Sequence, residues 1–124
     1  MPADAVEPDL KLDIRREGAA QVVGLIGAVR LDGAEQLQAS LPALVTAAVP
    51  NLILDLSRLE FIASVGLAAL VAAQRKSRSL RGATYIVNPT PSIAQLLKLT
   101  RIDQVIHSFP TLELAQAAMK APTS

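Results

Sequence analysis

Side chains able to do acid–base or nucleophilic chemistry are few in this sequence. The 124 residues include no cysteine and one histidine, His107. Disulfides, zinc ribbons and cysteine nucleophiles are therefore excluded, and a single imidazole remains for acid–base or metal chemistry. Asp55 and Ser57 follow an apolar run, at the end of a predicted strand where ligands of open α/β sheets gather. Their spacing favours a plainer interpretation, a turn in which both side chains bond the local backbone.

The motifs that would indicate an enzyme are missing from the sequence. No Gly-x-Ser-x-Gly elbow is present to place a serine nucleophile near His107. Neither a Gly-x-x-x-x-Gly-Lys-Ser/Thr loop nor a Gly-x-Gly-x-x-Gly loop follows a strand, so the backbone cradles that bind nucleotide phosphates are lacking. We therefore predict a non-enzymatic protein without cofactor or metal, and we expect any ATP in its pathway to be bound by a partner.

Composition and charge favour one domain that binds its partner locally. Hydrophobic residues make up 51% of the chain and aromatic residues 2%, and 12 basic residues nearly balance 11 acidic ones. Such a balance produces no broad field for nucleic acid or anionic lipid. The longest apolar stretch, 62–73, is shorter than the roughly 20 residues that a membrane span needs. The acidic, proline-containing start is unlike a signal peptide, which predicts a cytoplasmic location.

The pattern along the chain predicts a single α/β domain over residues 10–120, with short tails at 1–9 and 121–124. Period-two alternation and short apolar runs predict five strands. These strands are expected at 10–16, 21–26, 52–56, 83–87 and 104–107, and the first two form a hairpin about Glu17 and Gly18. Because helical patterns alternate with the later strands, we expect a mixed sheet of four to five strands with about four helices packed on it.

Capping residues mark the predicted helix ends. Asp32 followed by Glu35 has the spacing of a capping box, and the helix after it is expected to be kinked or split by Pro42 before reaching Ala48. The second helix is predicted to start near Ser64 and to stop at Gly82. The last two helix starts are predicted at Thr90, which is followed by proline, and at Thr111.

The segment 54–67 carries a resemblance to a known family. It reads Leu-Asp-Leu-Ser-Arg-Leu-Glu-Phe-Ile-Ala-Ser-Val-Gly-Leu: a strand, a Leu-x-Phe-Ile turn, then a small polar residue and a glycine that open a helix. This segment resembles the STAS domain, the family of sulfate transporters and anti-sigma factor antagonists. The upstream hairpin, the capped helix and the late helix near Leu97 also fall in the family's order, so the resemblance covers nearly the whole chain.

The resemblance implies a phosphorylation switch whose key residues are replaced here. In bacterial regulators of the family, the turn reads Asp-Ser-Ser/Thr-Gly, and a serine kinase that is also an anti-sigma factor phosphorylates the hydroxyl residue before glycine. This chain has Ala63, Ser64, Val65 and Gly66 in that order, so Val65 occupies the acceptor position and cannot take a phosphate. In an earlier loop, where the family often has Gly-Glu-Leu-Asp, the chain reads Gly-Ala-Val-Arg at 27–30.

Ser64 is the nearest substitute acceptor, and two interpretations of it stay open. The favoured one is a helix N-cap hydroxyl bonded to a backbone N–H, and the other is a displaced phosphorylation site. The basic residues at 75–81 can bind an acidic partner or can simply complement the helix dipole, which is the favoured interpretation. The predicted partner-binding residues are Gly27, Arg30, Asp32, Phe61, Ala63, Ser64, Val65, Gly66, Arg75 and Arg78.

Three functional hypotheses follow from the resemblance. The first is a bacterial, cytoplasmic anti-sigma factor antagonist that regulates transcription by binding an ATPase-type serine kinase or anti-sigma factor. The second is a cytoplasmic STAS subunit of an ABC-type membrane transport complex, and the third is a scaffold subunit of a larger signalling assembly. In each case the partner is a protein, with no nucleic acid bound and no direct insertion into the membrane.

Overall fold

The computed structural model describes residues 9–120, so the predicted tail at 121–124 and all but the last residue of the predicted tail at 1–9 lie outside the described residues. Six strands and four α-helices follow one another along this part of the chain, together with a short 3₁₀ helix. They are β1 (Leu10–Glu17), β2 (Ala20–Val29), α1 (Leu31–Leu44), β3 (Asn51–Asp55), β4 (Leu59–Ile62), α2 (Ser64–Ser79), β5 (Thr84–Val87), α3 (Pro91–Leu99), the 3₁₀ helix (Ile102–Gln104), β6 (Ser108–Phe109) and α4 (Leu112–Lys120).

All six strands join one mixed sheet, which confirms the predicted α/β fold. The order is β1-β2-β3-β5-β6, and β4 pairs with β2 outside this path. Only the β1–β2 hairpin is antiparallel, and its turn contains Gly18 with a φ of +61°. β2 is long enough to serve two neighbours: β3 pairs with residues 20–24, and β4 pairs with residues 27–29. Its far end therefore lies beside the segment that leads into α2.

Helices cover both faces of the sheet. On one face α1, α2 and α3 bury a large aliphatic core against the strands, with Leu25, Leu37, Leu54, Leu70 and Leu97 among its fully buried side chains. On the other face α4 covers a smaller cluster that includes Val22, Ile53, Val87 and Ala115. Since neighbours in a strand point to opposite faces, Ile53 and Leu54 belong to different layers.

The sequence prediction was wrong for three strand segments. Residues 59–62 were predicted to be a turn but form β4. The last strand was placed at 104–107, where the chain instead completes the 3₁₀ helix, and β6 begins at Ser108. β2 continues to Val29, so the Gly-Ala-Val-Arg segment at 27–30 is a strand end and not a loop. Gly27 pairs with Leu59 and Ala28 with Phe61, so Glu60 is an extra residue that forms a bulge in β4.

Three of the predicted helix starts are confirmed, and the start predicted for the first helix is wrong. Helix α1 begins at Leu31, and its N-cap is Arg30 without a side-chain cap, so Asp32 lies in the first turn and forms no capping box. Pro42 lies in the last turn and does not split the helix, which ends at Leu44, before Ala48. Helix α2 begins at Ser64, as predicted. The hydroxyls of Thr90 and Thr111 accept the N–H groups of the residues three positions later, at 3.4 and 3.2 Å, as predicted.

Helix α2 ends in a Schellman motif in which the left-handed residue is Arg81 and not the predicted glycine. Arg81 has a φ of +66°. The N–H of Gly82 donates to the carbonyl of Ser77 at 2.7 Å, and the N–H of Arg81 donates to the carbonyl of Arg78 at 3.0 Å. Glycine is needed at residue 82 for lack of space, because a Cβ there would overlap the carbonyl group of Pro50.

A buried polar network fixes α2 against the sheet. The Ser77 and Thr84 hydroxyls lie 2.7 Å apart, and the N–H of Thr84 donates to Oε1 of Gln74 at 2.7 Å. The same glutamine donates through Nε2 to the carbonyl of Val105 at 3.0 Å. Each buried polar group of the network has a hydrogen-bond partner, so its removal from water is compensated. The network therefore orients α2 without destabilising the fold.

Candidate functional site

The turn of residues 63–66 is fixed to the far end of β2. Ala63 is the N-cap of α2, with extended backbone angles, and its N–H donates to the carbonyl of Val29 at 2.8 Å. Its carbonyl accepts the N–H groups of Gly66 and Leu67 at 2.8 and 3.1 Å, which starts the helix. The end of β2 therefore determines where the first turn of α2 lies.

Ser64 does not cap the helix, so that favoured interpretation was wrong. It is the first helical residue, one position after the N-cap, and no side chain caps α2. Its side chain is exposed and, within residues 9–120, its hydroxyl makes no hydrogen bond. The chain cannot provide the usual cap because alanine stands at residue 63. Whether Ser64 is phosphorylated stays a prediction.

Gly66 allows α2 to approach the sheet closely. The residue is buried, and a Cβ there would lie 2.6 Å from Cγ1 of Val29 and 2.8 Å from Cγ1 of Ile62. Both neighbours are buried β-branched side chains with little freedom to move. The first turn of α2 is thus held against β2 and β4, and Val65, the residue before Gly66, is left on the outside.

Gly66→Ala is expected to lower the free energy of unfolding by about 2 kcal/mol, because the overlap with Val29 and Ile62 outweighs the gain of about 1 kcal/mol in helix propensity. Urea unfolding followed by circular dichroism measures the change. The matched control is Ala68→Gly at an exposed position two residues later in the same helix, where only the propensity is lost. A stabilised Gly66→Ala variant would contradict the close packing.

Three large apolar side chains are exposed around this turn. Leu31, Phe61 and Val65 are 63, 45 and 40% exposed. The guanidinium of Arg30 lies 5.3 Å from the centre of the Phe61 ring, a cation–π contact, and its Nε is 3.1 Å from Oδ2 of Asp9. We call the surface formed by Arg30, Leu31, Phe61, Ser64 and Val65 the turn surface. Sequence reasoning missed Leu31, because Leu31 directly precedes the predicted helix cap at Asp32.

The remaining predicted partner-binding residues divide into two groups. Gly27 and Asp32 lie close to the turn surface, in β2 and in the first turn of α1. Arg75 and Arg78 do not: they are ten and thirteen residues beyond Val65 on α2, which is about 15–20 Å along the helix. Between them, Lys76 donates to the carbonyl of Pro42, at the C-terminal end of α1. These cations therefore lie far from the turn surface, and their role at the helix ends stays a prediction.

The other candidate residues are not assembled into a reacting site. The Oδ1 of Asp55 accepts the N–H of Ser57 at 3.0 Å, which is the predicted local turn. His107 is exposed, and its ring meets Tyr85 edge-on at 6.3 Å. Among residues 9–120, no three His, Asp or Glu side chains are grouped to hold a metal, and no helix is long and apolar enough to cross a membrane.

Comparison with known families identifies the same domain. Residues 12–112 match the family model described as "Mlab, STAS domain". BtrV of Bordetella bronchiseptica, which is assigned as an anti-sigma factor antagonist, is 27% identical over 111 residues, covering 90% of this chain and 96% of BtrV.

Solved structures agree with this identification. The crystal structure of an anti-sigma factor antagonist from Mycobacterium paratuberculosis is 29% identical, with a TM-score of 0.81, and the match covers 93% of this chain and 98% of that one. The unphosphorylated anti-sigma factor antagonist SpoIIAA has the same fold, at 20% identity and a TM-score of 0.77, with coverage of 92 and 100%.

Proposed function

The chain belongs to the STAS domain family, and on that premise we propose that it is an anti-sigma factor antagonist that acts by occupying a protein partner. The partner is an ATPase-type serine kinase or anti-sigma factor in the bacterial cytoplasm. The turn surface makes the contact, with Ala63 and Gly66 fixing the first turn of α2 and with Gly27 and Asp32 beside it. In this proposal the chain catalyses nothing itself.

The observation that carries the proposal is the exposed apolar side chain of Val65 at the start of α2. It is 40% exposed, and the exposed Leu31 and Phe61 belong to the same turn surface. Isolated apolar residues are common on surfaces, but apolar groups collected at one place with an arginine and a polar edge are typical of protein interfaces. An aromatic residue and an arginine are also the residue types that contribute most to binding.

Valine at this position gives a binding surface that phosphorylation cannot switch off at residue 65. A phosphoserine would add about −1.5 to −2 charges in the middle of the interface and would disrupt apolar contacts there. Val65 has no hydroxyl, so the surface stays uncharged. Partner binding is therefore expected to be independent of ATP, unless Ser64 accepts the phosphate.

The test uses the purified protein as bait in lysate from its own host, with and without ATP, and identifies the retained proteins by mass spectrometry. A serine kinase or anti-sigma factor retained equally in both conditions is the expected result. The matched control is Phe61→Ser with Leu31→Ser, two exposed changes that remove apolar contact area and should abolish retention. Retention of neither class of protein would overturn the proposal.

Val65→Ser is expected to restore a switch. Incubated with the retained kinase and ATP, this variant should gain one phosphate on residue 65 and release its partner, whereas Val65→Ala should gain none and stay bound. Peptide mass spectrometry locates the phosphate. If Val65→Ser stays unmodified beside a kinase that phosphorylates its own substrate, the partner is not a kinase of this type.

A second candidate is a STAS subunit of an ABC-type membrane transport complex. The lack of a hydroxyl at residue 65 favours it, because a permanent subunit has no need of a phosphorylation switch. Such a subunit should be purified from membranes together with an ATPase and a permease. Finding those two proteins on the bait, with no kinase or anti-sigma factor, would replace the first proposal by this one.

A further inference from the structure

The strand β1 leaves one row of backbone groups unpaired at the edge of the sheet. Within residues 9–120 only β2 pairs with it. The N–H of Ala28 donates to the carbonyl of Asp9, and hydrogen-bonded pairs alternate along an antiparallel ladder. The odd-numbered residues of β1 therefore bond β2, and the even-numbered ones direct their N–H and carbonyl groups outward. The outward residues are Leu10, Leu12, Ile14 and Arg16.

This edge lacks two devices that commonly prevent strands from pairing. β1 is eight residues long and contains no proline, and the register shift of this sheet lies between β2 and β4, away from β1. At the middle of the edge, Ile14 is 46% exposed. A long regular strand with an exposed aliphatic centre is suited to pair with another strand.

Charges of alternating sign line one face of β1. Residues 11, 13, 15 and 17 point to the same face, since side chains alternate along a strand, and they are Lys, Asp, Arg and Glu. Within one copy, Nε of Arg15 lies 2.7 Å from Oε2 of Glu17, and its NH1 lies 3.8 Å from Oδ2 of Asp13. These contacts are exposed and weak, so they can be exchanged for similar contacts across an interface.

We propose that β1 is a homodimer interface, in which two copies pair antiparallel about a twofold axis at Ile14 and form one continuous sheet. In this register Ile14 faces Ile14 of the second copy, and both exchange outward backbone hydrogen bonds. Asp13 then faces Arg15 of the second copy, and Lys11 faces Glu17 of the second copy. Each of these cross-strand pairs joins opposite charges, and symmetry doubles it.

The charges also reject the neighbouring registers. Other registers can keep the outward hydrogen bonds if the twofold axis lies at a different residue. The two nearest alternatives place the axis at Asp13 or at Arg15. An axis at Asp13 places two aspartates opposite each other and Lys11 opposite Arg15. An axis at Arg15 places two arginines together and Asp13 opposite Glu17. If the charges of β1 only protected the edge, they would repel a second copy in every register. Instead they attract a second copy in the register with its axis at Ile14.

The proposed dimer leaves the turn surface free. Ile14 is opposite Val23 of β2, and Val29, which bonds the turn, lies six residues further on, about 20 Å along the strand. The inference therefore does not depend on the proposed partner, and each can fail without the other.

The test is sedimentation equilibrium at low salt over micromolar to millimolar concentrations. The wild-type chain should reach twice the 13.1 kDa mass of one copy. Asp13→Arg and Arg15→Asp each place like charges opposite one another, and each should weaken dimerisation at least about tenfold. The double variant restores the complementary pairs and should dimerise like the wild type. Arg75→Asp on α2 makes the same change in net charge as Arg15→Asp and should have no effect.

Mixing the two single variants gives the sharpest test. One has arginine at both positions and the other has aspartate at both, so an equimolar mixture should form a heterodimer although neither variant dimerises alone. Circular dichroism first establishes that each variant is folded. A wild-type chain that stays monomeric, a dimer that survives Asp13→Arg, or a mixture that forms no heterodimer would each overturn the proposal.

Discussion

Gly82→Ala is expected to lower the free energy of unfolding by about 3 kcal/mol, because a Cβ at residue 82 has no room. The new atom would overlap the carbonyl oxygen of Pro50 and lie 2.6 and 2.7 Å from its carbonyl carbon and Cβ. The backbone on both sides is fixed and cannot move away. Gly82 bonds Ser77 at the end of α2, and the N–H of Ala83 donates to Oδ1 of Asn51 at 3.1 Å.

Thermal unfolding measures this effect as a fall in Tm of about 10 °C. Arg81→Gly is the matched control, one residue earlier in the same motif. Arg81 has the left-handed conformation that glycine adopts without steric cost, so this variant is expected to be neutral or up to about 1 kcal/mol more stable. If Gly82→Ala were as stable as the wild type, the chain near Pro50 would not approach residue 82 so closely.

The same motif shows why a glycine could be found in the sequence while its role could not. Gly82 after a row of basic residues predicted the end of α2, and the helix ends three residues earlier, at Ser79. The reason is different: Arg81 takes the left-handed position, and Gly82 is required by Pro50, 32 residues earlier. Sequence spacing predicts what neighbours along the chain do to each other. A contact made by the tertiary fold leaves no local pattern.

The strands also divide into those that a local sequence pattern marks and one that depends on a tertiary contact. The hairpin, β3 and β5 were predictable because alternation or apolar runs mark strands. β4 was missed because Leu59–Ile62 is only four residues long and has buried residues at its two ends and exposed ones between. That pattern is not period-two alternation. The segment is a strand because the end of β2 beyond Gly27 offers it a partner.

In the candidate site, the sequence located the turn before α2 but not the residues that cap the neighbouring helices. The resemblance placed Val65 at the acceptor position, and the structure places it, exposed, in the first turn of α2. The predicted cap Asp32 lies two residues after the true N-cap of α1, Arg30. The predicted cap Ser64 lies one residue after the true N-cap of α2, Ala63. Neither true cap has a side chain that bonds the helix, so no capping residue was there to be recognised.

Val65→Asp is expected to weaken partner binding about 100-fold, which corresponds to about 3 kcal/mol. The carboxylate would be buried among apolar groups of the interface without a partner, and burying an unpaired charge is costly. In the free protein the same change is well tolerated, because residue 65 is 40% exposed and lies in the first turn of α2, where an acidic group suits the helix dipole. The free energy of unfolding should change by no more than about 0.5 kcal/mol.

Isothermal titration calorimetry with the retained partner measures the loss, and two controls separate charge from shape. Val65→Thr keeps the side-chain shape without a charge and should cost much less binding. Ala72→Asp places the same charge at an exposed position seven residues later on α2, about 10 Å away, and should leave binding nearly unchanged. Equal losses of affinity in Val65→Asp and Ala72→Asp would indicate a general effect of charge. Wild-type affinity in Val65→Asp would show that the partner binds elsewhere, because a residue in the middle of an apolar interface cannot accept a carboxylate without cost.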